Sequence, residues 1–145
     1  MEIKLIAAIE SGLADYFPAS SQSDPRIAET AALRLRDILG EEVFNKPYVR
    51  NLVNNRKFSE IQGGTLPADA GEIWGGAFWD VRLLMGKDSA DQLLLSTWLA
   101  LEPPDPTGDI AANFVNRLLE LEQTLEDGRY ASDIQAIFQE RGLEF

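Results

Sequence analysis

Two stretches hold the residue types that could do chemistry. "AIESGLADYF", residues 8–17, sets Glu10 and Asp15 around Ser11, and "GEIWGGAFWDVR", residues 71–82, sets Glu72, Asp80 and Arg82 among Trp74 and Trp79. Carboxylates on helices serve as metal ligands or as acid–base groups, but a catalytic zinc needs three protein ligands and one open position for water. This chain has no histidine and no cysteine. Imidazole and thiolate ligands are therefore excluded, as are disulfides and cysteine nucleophiles. Ser11 or Ser20 as a hydrolytic nucleophile would need a base, and without histidine only a lysine remains; Lys4 stands in no motif that would make it one. "DPTGD" (105–109) carries two carboxylates near a glycine but lacks the ligand count of a calcium loop, and reads as a capped turn. No glycine-rich loop follows a strand, so nothing cradles a phosphate.

The elements that must position these residues are helical. Ile6, Ile9, Leu13 and Phe17 recur at three- and four-residue steps and form one apolar stripe between Ile3 and Phe17. Pro18 is expected to end that helix. A second helix is expected from Asp24-Pro25, with Asp as cap and Pro in the first turn, closing at Gly40. Glu41 to Asp69 is weakly periodic and reads as one long ordered loop with at most a short helical turn; loops of that length are usually functional or packed over something.

The third helix is "GEIWGGAFWDVRLLMG", with Ile73, Ala77, Val81 and Leu84 on one side. Gly75-Gly76 within it costs about 1 kcal/mol each relative to alanine, which points to a close helix–helix or helix–ligand approach. Asp88 or Ser89 should cap a fourth helix, "SADQLLLSTWLALE", apolar nearly all round and so expected at the centre. After the connector "PPDPTG", a fifth runs from Asp109 to Glu126 with Ile110, Phe114, Leu118, Leu121 and Leu125 inward. A sixth follows a capping box of Ser132 and Gln135 and runs to Arg141 before Gly142. With no period-two strand of any length, the expectation is an all-α bundle of five or six helices in a single domain, residues 1–145.

Taken in order, the two motifs resemble the C-terminal helical half of thermolysin- and fungalysin-type zinc metallopeptidases. "ADQLLLSTWLAL" and the closing "IFQERGL" are similar to later parts of that family, so the resemblance spans almost the whole chain and the second half of the family's length. It implies a zinc held by two histidines of an H-E-x-x-H helix, which is absent here, and by a glutamate in a pattern like E-G-x-A-D-Y-F. Aligning Gly12, Ala14, Asp15 and Tyr16 puts Ser11 at the glutamate's position. Glu10, one residue earlier, lies about 100° around the helix. Asp15 matches the carboxylate that supports the family's metal ligands. Ala68 falls where the family places a histidine that hydrogen-bonds the developing oxyanion.

The resemblance thus implies a degenerate site at Ser11 and Ala68, with no metal, no cofactor and no catalytic residue. The expected function is a catalytically inactive peptidase-like domain that binds a protein or peptide. Its groove would be walled by the first helix and the "GEIWGG" helix and would hold Glu10, Asp15, Glu72 and the aromatic residues beside them. For Trp74, Trp79, Asp80 and Arg82 the alternative is structural: tryptophans between helices, and Asp80 with Arg82 tying helix ends together. Two other readings stand beside this one: the C-terminal half of a two-piece or truncated zinc peptidase, and an unrelated helical scaffold.

Charge narrows the partners. Thirteen basic against 24 acidic residues give a net charge of −11, and the densest cationic patch, Arg50 to Lys57, holds three cations. Phosphate-backbone binding needs clustered Lys and Arg, so nucleic acid and anionic membrane are excluded as expected partners. No stretch approaches the roughly 20 apolar residues of a membrane span. Nothing at the N-terminus resembles a signal peptide, which makes a cytoplasmic location the default expectation. Homodimerisation through an exposed apolar face is a further expectation.

Overall fold

A computed structural model of the chain describes the backbone of residues 2–61, 67–101 and 109–143, and the side chains of all of these except 2–5, 67 and 68. The described residues form six α-helices: α1 (Glu2–Gln22), α2 (Glu29–Leu39), α3 (Pro67–Met85), α4 (Lys87–Ala100), α5 (Ile110–Glu126) and α6 (Ala131–Glu140). Between them lie a two-residue antiparallel pair, β1 (Arg26–Ile27) with β2 (Arg50–Asn51), and a single 3-10 turn at Phe58–Glu60. The fold is an all-α bundle. The "PPDPTG" connector falls outside the described residues.

The centre of the bundle is α3, not α4. Ile73, Trp74, Ala77, Phe78 and Val81 are fully buried, whereas Leu95 and Leu99 of α4 are 47% and 75% exposed. An apolar helix can sit at the edge when only part of its circumference finds a neighbour, and α4 packs on α3 and α5 while leaving one side to solvent. Around α3 the core is aromatic. Trp74 has its ring 6.0 Å from Phe78 and 5.9 Å from both Phe114 of α5 and Phe138 of α6, and Tyr16 of α1 meets Phe78 edge-on at 6.2 Å. Edge-to-face and tilted pairs at such distances add to the burial of the rings themselves. Leu125, expected inward on α5, is 42% exposed because the helix ends one residue later.

Pro18 does not end α1. The helix continues to Gln22 with the proline inside it. Proline in a helix interior forfeits the bond to the carbonyl four residues back, at a cost of about 3 kcal/mol. Here that carbonyl belongs to Ala14, an exposed residue that water can serve. The turn beyond is held from outside: Ala19 and Ser20 are buried, and the Ser20 hydroxyl donates to Asp91 at 2.6 Å and accepts from Arg82 at 3.0 Å.

The second helix starts later than its Asp-Pro pair indicates. Asp24 Oδ1 accepts the Arg26 N–H at 3.0 Å, and its carboxylate also holds the Arg26 guanidinium, so the side chain closes a local turn and not a helix. The carbonyls of Pro25 and Ile27 then accept from Leu52 and Val49 at 2.9 Å. This pairing with β2 keeps the segment extended, and α2 begins only after Ala28, whose φ is +61°. Gly40 closes α2 with φ +85°, a conformation that favours glycine. At the other end of the chain, Ser132 and Gln135 make no capping box. The first residue of α6 is Ala131, and a glutamate from α5 serves its start instead: Glu122, fully buried, accepts the Tyr130 N–H at 2.9 Å.

Candidate functional site

The two motif helices, α1 and α3, meet backbone to backbone. A Cβ on Gly12 would lie 2.7 Å from Cβ of Trp74, 2.9 Å from N of Gly75 and 3.0 Å from the carbonyl oxygen of Gly71. A Cβ on Gly71 would lie 2.6 Å from both Cβ and Oγ of Ser11. The missing side chains of Gly12 and Gly71 are therefore what allows this seam, while that of Gly75 makes room for the buried Leu52. Its companion Gly76 faces the other way, where Nη1 of Arg141 and the amide of Asn54 fill the space that a Cβ would take. The glycine pair thus marks close approach of the buried Leu52 on one side and of a buried arginine on the other.

Along this seam α1 and α3 leave no groove between them, and the expected site residues fall into separate places. Ser11 lies in the seam, its side chain against Gly71. Asp15, 7% exposed, lies at one edge, where Arg50 of β2 grips it with two parallel bonds: Nε to Oδ2 at 2.6 Å and Nη2 to Oδ1 at 2.7 Å. The bond to Asp15 raises the Arg50 pKa further above its ordinary value against the opposing pull of burial, and the fields of Asp15, Glu72 and Asp69 add to it. Glu72 receives Arg56 Nη1 at 3.0 Å and the backbone N–H of Asn51 at 3.5 Å. Residues 50–56 therefore lie across the edge of the helix pair with an arginine on each of its two carboxylates.

Trp74 and Trp79 are buried, at 0% and 5% exposure, and wall no groove; the Arg82 guanidinium stacks 4.6 Å from the Trp79 ring centroid. Asp80 accepts from Nη2 and Nε of Arg141 at 2.7 and 3.2 Å, which ties the end of α6 to α3. Arg141 is itself 5% exposed and also donates to the side chain and backbone of Asn54. Arg82 reaches back to the end of α1, onto Ser20 and Ser23. Ala68 sits in the first turn of α3, with its side chain outside the described residues. Glu10 is exposed on the opposite side of α1 from the seam, at the rim of an apolar pocket shared with α4.

A zinc ion of the kind the resemblance implies does not fit this arrangement. Among the described residues no three Asp, Glu, His or Cys side chains converge as ligands. Ser11 offers a neutral hydroxyl against a glycine backbone, both oxygens of Asp15 are taken by a guanidinium, and Glu10 points away from Asp15. The resemblance motifs give no signal for several groups that matter here. Arg50, Asn54 and Arg56 lie outside them, Arg141 stands in "IFQERGL" with no role implied for it, and their pairing spans up to 87 residues. Asp91 lies in a helix that sequence marks only as apolar, yet it accepts at 2.6 Å from each of Tyr16, Ser20 and Lys87. Burial and the neighbouring Asp91 carboxylate push the Tyr16 hydroxyl well above the ordinary phenol range. The polar edge residues form a joint between elements, built of fixed ion pairs and satisfied donors.

No described helix is long and apolar enough to cross a membrane. Compared with family models, with curated proteins and with solved structures, the chain finds no match in any of the three.

Proposed function

We propose that the chain is a catalytically inactive, metallopeptidase-like helical domain that works as a protein- or peptide-binding module. The observation that carries the inactive half of this reading is the fate of the carboxylates: Asp15 and Glu72 are each held by an arginine of the same chain, and Ser11 stands in a helix seam. A metal ion at this edge would meet two guanidinium charges and no imidazole. The binding half follows from what remains at the surface, where the acidic balance of −11 and the exposed Leu95 and Leu99 of α4 suit an apolar partner of opposite charge.

Zinc content of the purified protein, followed by calorimetric titration at neutral pH and a peptidase assay, tests this reading. Substoichiometric zinc, no saturable heat and no peptide hydrolysis are expected from a folded, helical protein. Stoichiometric zinc held at micromolar affinity or tighter, with hydrolysis of a peptide, would replace this reading with that of half of a zinc peptidase.

A further inference from the structure

On the side of α1 away from the seam, Glu10, Leu13, Ala14 and Phe17 join Trp98 of α4 around an open pocket of about 290 Å3. Its wall is hydrocarbon almost throughout, and the Glu10 carboxylate is the one charged group among the residues that line it. Leu95 and Leu99 stand beside Trp98 on α4 at helical spacing and extend the apolar surface into solvent. We infer that this pocket is the docking site of a partner protein's short cationic and apolar segment. A large aliphatic or aromatic side chain would enter the pocket, and a neighbouring Lys or Arg would meet Glu10. The inference rests on the binding-module reading and specifies its partner.

Three features select this occupant. The volume lies at the bottom of the roughly 300–1,000 Å3 range of small-molecule sites, so it suits one or two side chains and not a cofactor. Glu10 is exposed and has no ion-pair partner among the described residues, while the chain as a whole is strongly acidic. Complementary charge steers such a segment in and repels an acidic one. A second copy of this chain is the poorer occupant. A two-fold contact sets the same patch against itself, which brings Glu10 towards Glu10 and two chains of charge −11 together.

The chain carries its own reporter. Of its three tryptophans, Trp74 and Trp79 are buried and Trp98 is partly exposed at the pocket, so the solvent-sensitive part of the emission belongs to Trp98. The experiment titrates the full chain at low salt with the acetylated, amidated hexapeptide Leu-Lys-Phe-Lys-Leu-Lys and with its counterpart bearing Glu for each Lys. A saturable blue shift with the lysine peptide and none with the glutamate peptide is expected. Ala14→Arg, which fills the pocket from an exposed helix position, and Glu10→Lys should each weaken binding by about tenfold or more. Glu140→Lys, the same change of net charge on the exposed face of α6, should alter it less than about twofold.

Equal losses from Glu10→Lys and Glu140→Lys would reduce the effect to general attraction and overturn the inference. So would undiminished binding by Ala14→Arg, or the absence of any shift with the lysine peptide. Each of those results leaves the zinc and peptidase measurements, and hence the inactive reading, untouched. Zinc binding with hydrolysis would remove that reading whatever the titration gives.

Discussion

Replacing Gly12 by alanine sets two effects against each other, and the seam geometry decides between them. On helix propensity alone, Gly12→Ala should stabilise α1 by about 1 kcal/mol. The new Cβ would lie 2.7 Å from Cβ of Trp74, however, and 2.9 and 3.0 Å from backbone atoms of Gly75 and Gly71. None of these neighbours can rotate away: two are backbone of α3, and Trp74 is fully buried among Phe78, Phe114 and Phe138. Ordinary contact at about 3.4 Å requires α1 and α3 to part by roughly 0.7 Å, a gap that forfeits about a quarter to a half of the dispersion well along the seam. Overpacking of this kind costs about 1–3 kcal/mol, and contact with rigid backbone puts Gly12 at the upper end. Subtracting the propensity gain leaves a net loss of about 2 kcal/mol. At roughly 3–4 °C per kcal/mol for a chain of this size, Tm should fall by about 6–8 °C. Urea unfolding followed by circular dichroism measures the loss directly. Ala14→Gly, on the exposed face of the same helix, calibrates propensity alone at about 1 kcal/mol. A Gly12→Ala protein as stable as the parent, or more so, would mean that α1 and α3 are not in backbone contact, and the account of the glycine motif would fail with it.

Two further outcomes are expected. Arg50→Met leaves the Asp15 carboxylate buried and unpaired and should cost about 3 kcal/mol in urea unfolding, whereas the double variant Asp15→Asn/Arg50→Met should recover part of that loss; purely additive costs would show that the two side chains do not act as a pair. Stability should also fall at both ends of the pH range, through one cluster. Burial raises the Asp91 pKa, but hydrogen bonds from Lys87, Ser20 and Tyr16 outweigh it and hold the folded value below the ordinary aspartate range; the unfolded chain therefore binds the proton first, and stability drops as pH falls below about 4. Tyr16, pushed upward by burial and by Asp91, stays protonated when folded, so above about pH 10 the unfolded chain alone releases that proton and stability declines by about 1.4 kcal/mol per pH unit. Tyr16→Phe should remove that alkaline slope in pH-dependent urea titrations, and an unchanged slope would refute the assignment.

The helices themselves were legible because their signals are local. Apolar residues at helical spacing mark α1, α3 and α5 without knowledge of their neighbours, and Gly40 closes α2 through a positive φ that the residue type alone announces. Errors arose where tertiary contact overrides a local rule. Pro18 has the local chemistry of a stop, but the buried Ser20 and its bonds to Asp91 and Arg82 carry α1 another turn. Asp24-Pro25 has the chemistry of a helix start, yet the carbonyls of Pro25 and Ile27 are claimed by a segment more than twenty residues away. A two-residue strand pair has no periodicity to detect. Gly75-Gly76 was legible as a sign of close approach, though not in its two directions, because Leu52 and Arg141 come from distant parts of the chain. The expected groove fails for the same reason. A one-dimensional pattern places Glu10, Asp15, Glu72 and Trp74 on two helices, but which side of the seam each occupies depends on how closely the helices approach.

The arrangement of the arginines links the inner joint to the outer surface. Arg50, Arg56, Arg82 and Arg141 all turn towards the α1–α3 pair: onto Asp15, onto Glu72, onto Ser20 and Ser23, and onto Asp80 with Asn54. A planar guanidinium with five donors is the cation best suited to such sites, because it can satisfy several buried acceptors at once while keeping its charge. Four of the nine arginines are thereby withdrawn from the role of surface charge, in a chain with only four lysines to replace them. Asp15, Glu72 and Asp80 are withdrawn with them, so the remaining surface keeps the acidic balance of the whole chain. Glu10 shows the consequence, since it stands on α1 only five residues from Asp15 but on the side that no arginine reaches. A carboxylate paired inside the fold is a structural element; one at the rim of a hydrocarbon pocket, with no partner among the described residues, is open to a cation from outside. That difference between Asp15 and Glu10, two acids of one helix, is why the seam is assigned to stability and the α1–α4 pocket to recognition.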